Sequence, residues 1–182
     1  MLRSLNKLLA LVTTLSFSVS SIASTEIELI RAVIEGEIEL VRSVLNEDIS
    51  ANSASADTTT ALQWATQGNH TEIVKLLLRN GADVNTANRY GVTAAALAAE
   101  NGNAEIIGHL LAAGLDVNQS MPEGETLLMT AARTGDAATV RTLLEHGADA
   151  DIREESRGQT ALMWAAAENN AEAIRVLAEY NV

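Results

Sequence analysis

The sequence predicts an all-α solenoid of stacked helix–turn–helix units, and three observations carry that prediction. Thr60-Ala61-Leu62, Thr93-Ala94-Ala95, Thr126-Leu127-Leu128 and Thr160-Ala161-Leu162 recur at separations of 33, 33 and 34 residues. Gly81-Ala82-Asp83, Gly114-Leu115-Asp116 and Gly147-Ala148-Asp149 recur at 33 and 33. Helical or strand amphipathicity cannot generate so long a period, so it reports a duplicated structural unit. The composition agrees: 47% of the 182 residues are hydrophobic and only 3% aromatic. That balance, with abundant Ala, favours close helix packing over an aromatic-rich β-core.

One unit can be read residue by residue. Thr60 is placed to cap a helix, its hydroxyl accepting an orphan N–H of the first turn. A short apolar helix follows, with Leu62, Ala65 and Thr66 on one side. Gly68-Asn69 break it, and either residue can take a positive φ where the chain reverses. A second helix starts near Thr71-Glu72, where an acid suits the positive end of the helix dipole. Ile73, Leu76 and Leu77 form its apolar stripe, and Gly81 ends it as a left-handed residue. Asp83 and Asn85 open a turn-rich connector to the next Thr. A single unit buries little, so neighbours must stack to complete a core.

The stretch from Thr60 to Asn85, TALQWATQGNHTEIVKLLLRNGADVN, resembles the ankyrin repeat along its whole length. The units from Thr93 and Thr126 keep the same frame, and another starts at Thr160. Projected backwards, the frame places Leu29, Ala32, Gly36, Glu39, Val41, Leu45 and Asn52 at repeat positions, as a degenerate capping unit would have them. The resemblance, to the exported bacterial type of ankyrin-repeat protein, implies a solenoid of about five helix-turn-helix repeats with β-turn connectors. The repeats fall at about 26–54, 55–87, 88–120, 121–154 and 155–182 within a domain spanning 24–182.

Departures from the family pattern are equally specific. The usual Pro after the Thr is Ala61, Ala94, Leu127 or Ala161, which gives up a preset φ at the first helical position. The usual His of that motif is Gln63, Ala96, Met129 or Met163, so its linking of neighbouring connectors is expected only from Gln63. The fourth connector gains one residue around Glu154, an insertion of the kind loops tolerate.

Residues 1–23 read as an export signal. Arg3 and Lys7 make a basic start, Leu8 to Val19 an apolar core, and Ser21-Ile22-Ala23 a small-residue cleavage site before Ser24. The apolar run is shorter than the roughly 20 residues a membrane span needs. Removing 23 residues leaves 159, and losing Arg3 and Lys7 leaves ten basic groups against 24 acidic ones, a net charge of −14. The expectation is a periplasmic or secreted chain with no membrane insertion after cleavage. The whole chain carries 12 Lys+Arg against 24 Asp+Glu, a formal charge of −12, which argues against binding a nucleic-acid backbone or an anionic membrane. Cys is absent, so thiol nucleophiles and Cys-ligated zinc are excluded.

No constellation for catalysis is evident, and no catalytic, cofactor or metal residue is assigned. His70, His109 and His146 lie 39 and 37 residues apart with no i,i+4 partner, and their repeat positions differ. Nucleophile elbows, phosphate-binding Gly-rich loops and H-E-x-x-H are all missing. Paired acids such as Glu35/Glu37 and Glu154/Glu155 read as solvated surface. Trp64 and Trp164 share one repeat position and read as core fillers.

What the resemblance implies is partner binding by connector tips and the exposed side of the first helices, which together line a groove. Carried over by frame, the candidates are Asp57, Gln67, Arg89, Tyr90, Asn101, Glu123, Glu125, Arg133, Arg157 and Glu168. Tyr90 beside Arg89 is the candidate hot spot, because Tyr and Arg dominate interface energies. The expected activity is non-catalytic docking of another protein carrying a basic patch. Two other readings remain open at this point: a homo-oligomerising array joined through its ends, and a hydrolase using His and acidic residues.

Overall fold

The computed structural model describes residues 25–180, Asp48 excepted. The expected export segment and its cut between Ala23 and Ser24 lie outside the described residues. Among the described residues ten α-helices follow one another in five pairs. They are α1 (25–35), α2 (Ile38–Leu45), α3 (Ala61–Gln67), α4 (Thr71–Arg79), α5 (Ala94–Glu100), α6 (Ala104–Ala112), α7 (Leu127–Thr134), α8 (Ala137–Glu145), α9 (Ala161–Ala167) and α10 (Ala171–Glu179). A 3₁₀ turn at Pro122–Gly124 precedes α7. Among the described residues β pairing is confined to isolated bridges, Ala54 with Thr60 and Ala87 with Thr93. The pairs stack into an all-α solenoid: α3 packs on α5, α5 on α7 and α7 on α9, while α4, α6, α8 and α10 form the second layer.

Threonine starts the first helices as the sequence predicts. The Thr60 hydroxyl accepts the Gln63 N–H at 3.3 Å, and the Gln63 side-chain oxygen accepts the Thr60 N–H at 2.7 Å, closing a reciprocal cap. Thr93 and Thr126 accept from Ala96 and Met129 at 3.1 and 3.3 Å. Thr160 starts α9 without a side-chain cap bond. On α4 the buried face is Ile73, Val74 and Leu77, while Leu76 is only half-buried, because adjacent positions and i+4 fall together on a helix.

Each reversal between paired helices uses a left-handed residue at a fixed place. Gly36, Asn69, Gly102, Gly135 and Asn169 have φ of 76°, 55°, 64°, 82° and 58°. The reversal after α3 therefore belongs to Asn69, whereas Gly68 stays right-handed at φ −77°. The residue that starts the next unit's second helix sits against this turn. A Cβ on Gly36 would stand 2.9 Å from the His70 ring, and one on Gly135 would stand 2.7 Å from the Asn170 side chain. Asn103 Nδ2 donates to Asn69 Oδ1 at 3.0 Å in the same relation. His70 is thus a packing residue between turns.

The core lies between the two helix layers and thins at α9–α10. Met129 is 1% exposed, yet its equivalent Met163 is 44% exposed, and buried Ala132 corresponds to exposed Ala166. Stacking, more than residue type, decides what is buried in such an array.

Candidate partner-binding groove

Among the described residues four connector tips, those of repeats two to five, project in a row: Ser55–Thr59, Asn88–Val92, Met121–Glu125 and Glu154–Gln159. In each, the first N–H donates to the last carbonyl, at 2.9, 3.0, 2.8 and 3.1 Å. The tip of repeat five holds the inserted residue. Its reversal and those of the others use Thr58, Gly91, Gly124 and Gly158, at φ 67°, 76°, 78° and 68°. Thr58 is β-branched in a region that costs such residues energy, and its hydroxyl accepts the Arg89 N–H at 2.8 Å.

The ten candidate residues fall in two rows at opposite ends of the first helices. Asp57, Arg89, Tyr90, Glu123, Glu125 and Arg157 lie on the tips. Gln67, Asn101, Arg133 and Glu168 lie at the C-terminal ends of α3, α5, α7 and α9. A helix of seven residues separates the rows by about 10 Å, the width of the groove floor.

Several of these side chains also bind within the chain. The Asp57 carboxylate accepts from the Ser55 hydroxyl and from Thr59 N–H and O–H at 3.2 and 2.9 Å, which lowers its pKa below the ordinary carboxylate value. Arg89 Nε donates to the Asp57 carbonyl at 3.1 Å and its Nη2 to the Ala56 carbonyl, clamping the tip of repeat three onto that of repeat two. Asn101 Nδ2 donates to the Thr66 and Gln67 carbonyls at 3.1 and 3.4 Å, joining α5 to the end of α3. Arg133 stands 3.9 Å from Glu100. Tyr90 is 71% exposed, with its N–H and that of Val92 held by Asn88 Oδ1 at 3.0 and 3.1 Å. Gln67, Glu123, Arg157 and Glu168 are exposed, and Glu125 is half-buried.

Glu154 corrects the sequence reading of solvated acids. It is 4% exposed, and its carboxylate accepts the N–H groups of Ser156, Arg157 and Gln159 at 2.6, 2.9 and 3.0 Å together with the Ser156 hydroxyl. These hydrogen bonds, led by that of Ser156, lower its pKa to about 2. The inserted tip is therefore folded around its own acid, and Glu155 N–H docks it on the Glu123 carbonyl at 2.8 Å. Only the extra residue hinted at this in the sequence.

Gln63 does take over the connector-linking role, its Nε2 donating to the Thr86 and Val92 carbonyls at 3.0 and 2.7 Å. Trp64 and Trp164 are half-buried against the core, and Trp64 Nε1 donates to the Ser55 hydroxyl at 3.3 Å. His109 does have an i,i+4 neighbour that the sequence reading passed over, Glu105, 3.7 Å from its Nε2, and His146 Nδ1 lies 2.8 Å from the Thr142 carbonyl. Among the described residues no group of three or more His, Cys, Asp or Glu could hold a metal, and no helix is long and apolar enough to cross a membrane.

A stacked-repeat scaffold with two exposed rows of variable side chains defines the class: a repeat protein built to present a surface. The chain belongs to the ankyrin-repeat family, for the family model described as ankyrin repeats (3 copies) matches residues 29–121 and 96–182. No curated protein matches it. Ankyrin repeats generally mediate protein–protein interaction, and proteins made of them are typically non-enzymatic.

Proposed function

We propose that this chain is an exported, non-catalytic docking module that holds a partner protein against its connector tips and first-helix ends. The observation that carries the reading is Tyr90, a large aromatic left 71% exposed on a tip whose neighbours Asn88 and Arg89 are fixed by hydrogen bonds. An ordered backbone beneath an exposed Tyr lowers the entropy lost on binding. The net charge of −14 left once residues 1–23 are removed favours a partner with a basic patch, and steering by that charge makes association slow as salt rises. Binding would inhibit, stabilise or tether that partner in the periplasm or outside the cell.

Affinity capture with the full chain expressed in its own cells tests this, beside a Tyr90→Ala, Arg133→Glu variant. A stoichiometric protein lost from the variant supports the groove; identical captures by both remove it. N-terminal sequencing of the exported form should begin at Ser24. A second reading, self-association, is favoured by the apolar exposure on α9, where Met163 is 44% exposed. A mass by light scattering that stays monomeric at every concentration would dismiss it.

A further inference from the structure

The connectors of repeats two and three, the second and third, are zipped together, and the next junction lacks each part of the zipper. At the second–third junction Gln63 Nε2, Asn88 Nδ2 and the Arg89 N–H all donate across, the last two to the hydroxyls of Thr59 and Thr58. One period later these five positions are Ala96, Met121, Pro122, Val92 and Gly91. Two side-chain donors and two hydroxyl acceptors are gone, and Pro122 has no N–H to give. Among the described residues no hydrogen bond joins the third connector to the fourth, although α5 and α7 pack together beneath them. At the fourth–fifth junction a backbone bond returns, from Glu155 N–H to the Glu123 carbonyl at 2.8 Å.

What remains at the open junction is a cleft of about 210 Å³, walled mainly by Ala87, Gly91, Ala95, Met121 and Leu127, with Thr93, Gln119 and Ser120 as its polar members. It is smaller than the roughly 300–1,000 Å³ of small-molecule sites, so its size suits one side chain better than a metabolite. Charge narrows the occupant further. The tip that carries Met121 also carries Glu123 and Glu125, and from Gly91 to Ala132 the chain has no Lys or Arg. We infer that this cleft takes one apolar side chain, Leu or Met, from an extended partner segment with Lys or Arg on either side of it. The inference rests on the docking reading above and specifies where along the groove the partner anchors.

The test is an NMR titration of the full chain with acetylated heptapeptides of Gly and Ser carrying Lys-Leu-Lys, Lys-Gly-Lys or Lys-Asp-Lys at the centre. The Lys-Leu-Lys peptide should shift the Met121 methyl and the Gly91 and Ser120 amides, and the other two should leave them in place. Ser120→Tyr, at an exposed wall position, should plug the cleft and weaken binding about tenfold, ~1.4 kcal/mol. Ala87→Phe repeats the test from the opposite wall should the first variant fold poorly. Shifts at Tyr90 and the first-helix ends without Met121, unaffected by either plug, overturn the cleft and leave the groove standing. No shift at Met121 at millimolar peptide also overturns the cleft, and the capture experiment then decides separately whether the groove holds any protein.

Discussion

Glu154 shows how one residue turns an insertion into structure. In the unfolded chain its carboxyl titrates near the ordinary 4.5, and in the fold it is held at about 2 by the hydrogen bonds of its tip. A depressed folded pKa means the ionised form is bound better by the native state. Its stabilisation is present in full above pH 4.5 and is lost as pH falls through about 2. Glu154→Gln should therefore melt a few degrees below the parent at neutral pH, with the gap closing over that window in circular dichroism melts. A gap independent of pH would assign the loss to packing and not to charge. The glycines offer a second residue-scale comparison. Gly135 and Gly147 are both left-handed, at φ 82° and 87°, but a Cβ would meet Asn170 at 2.7 Å in the first and nothing within 4 Å in the second. Gly147→Ala should cost about 1–2 kcal/mol from backbone strain alone. Gly135→Ala should cost measurably more in a denaturant titration, since the Asn170 bonds to the Ala132 and Arg133 carbonyls must also shift.

Among the elements, the second–third connector junction depends most on one side chain. Gln63 closes the cap of α3 and reaches across to two carbonyls of the next connector. Gln63→Ala should destabilise by about 1–3 kcal/mol, because the buried Thr60 N–H and the half-buried Thr86 carbonyl lose their partner, while the Val92 carbonyl keeps the Asn88 N–H. A change in melting no larger than that of Thr93→Ala, which removes a cap bond only, would contradict the bridging role. The contrast also shows what the sequence could express. Thr60, Thr93 and Gly81 were legible because a cap or a helix stop is chemistry between residues a few positions apart. Arg89 read as a free hot-spot charge, since a guanidinium at a loop tip has the same sequence signature whether it faces solvent or a neighbour's carbonyls. Its acceptors lie 32 and 33 residues back and are backbone atoms, which carry no residue-type signal. For the same reason Glu154 read as a solvated acid: its partners are N–H groups that converge only once the tip is folded. The helix assignments survived such losses because each repeat states them again.

For the molecule as a whole, burial falls away at α9–α10, and stability should follow it. In a stacked array each unit is held by its neighbours, so units covered on both sides open least. Amide exchange should be slowest in α5–α8, where Ile106, Leu110, Met129 and Leu143 are all nearly inaccessible, and faster in α10. Uniform protection along the chain would show that the solenoid opens in one concerted event. Among the described residues no side-chain hydrogen bond or ion pair joins residues more than 38 apart, the span from Arg141 to Glu179 and from Ala132 to Asn170. Each such contact can close once little more than one further repeat has been synthesised, so the search for native partners stays short however many units are added. Assembly can then follow the chain from its first units onward, and the time needed to fold is set by a single repeat meeting the one before it.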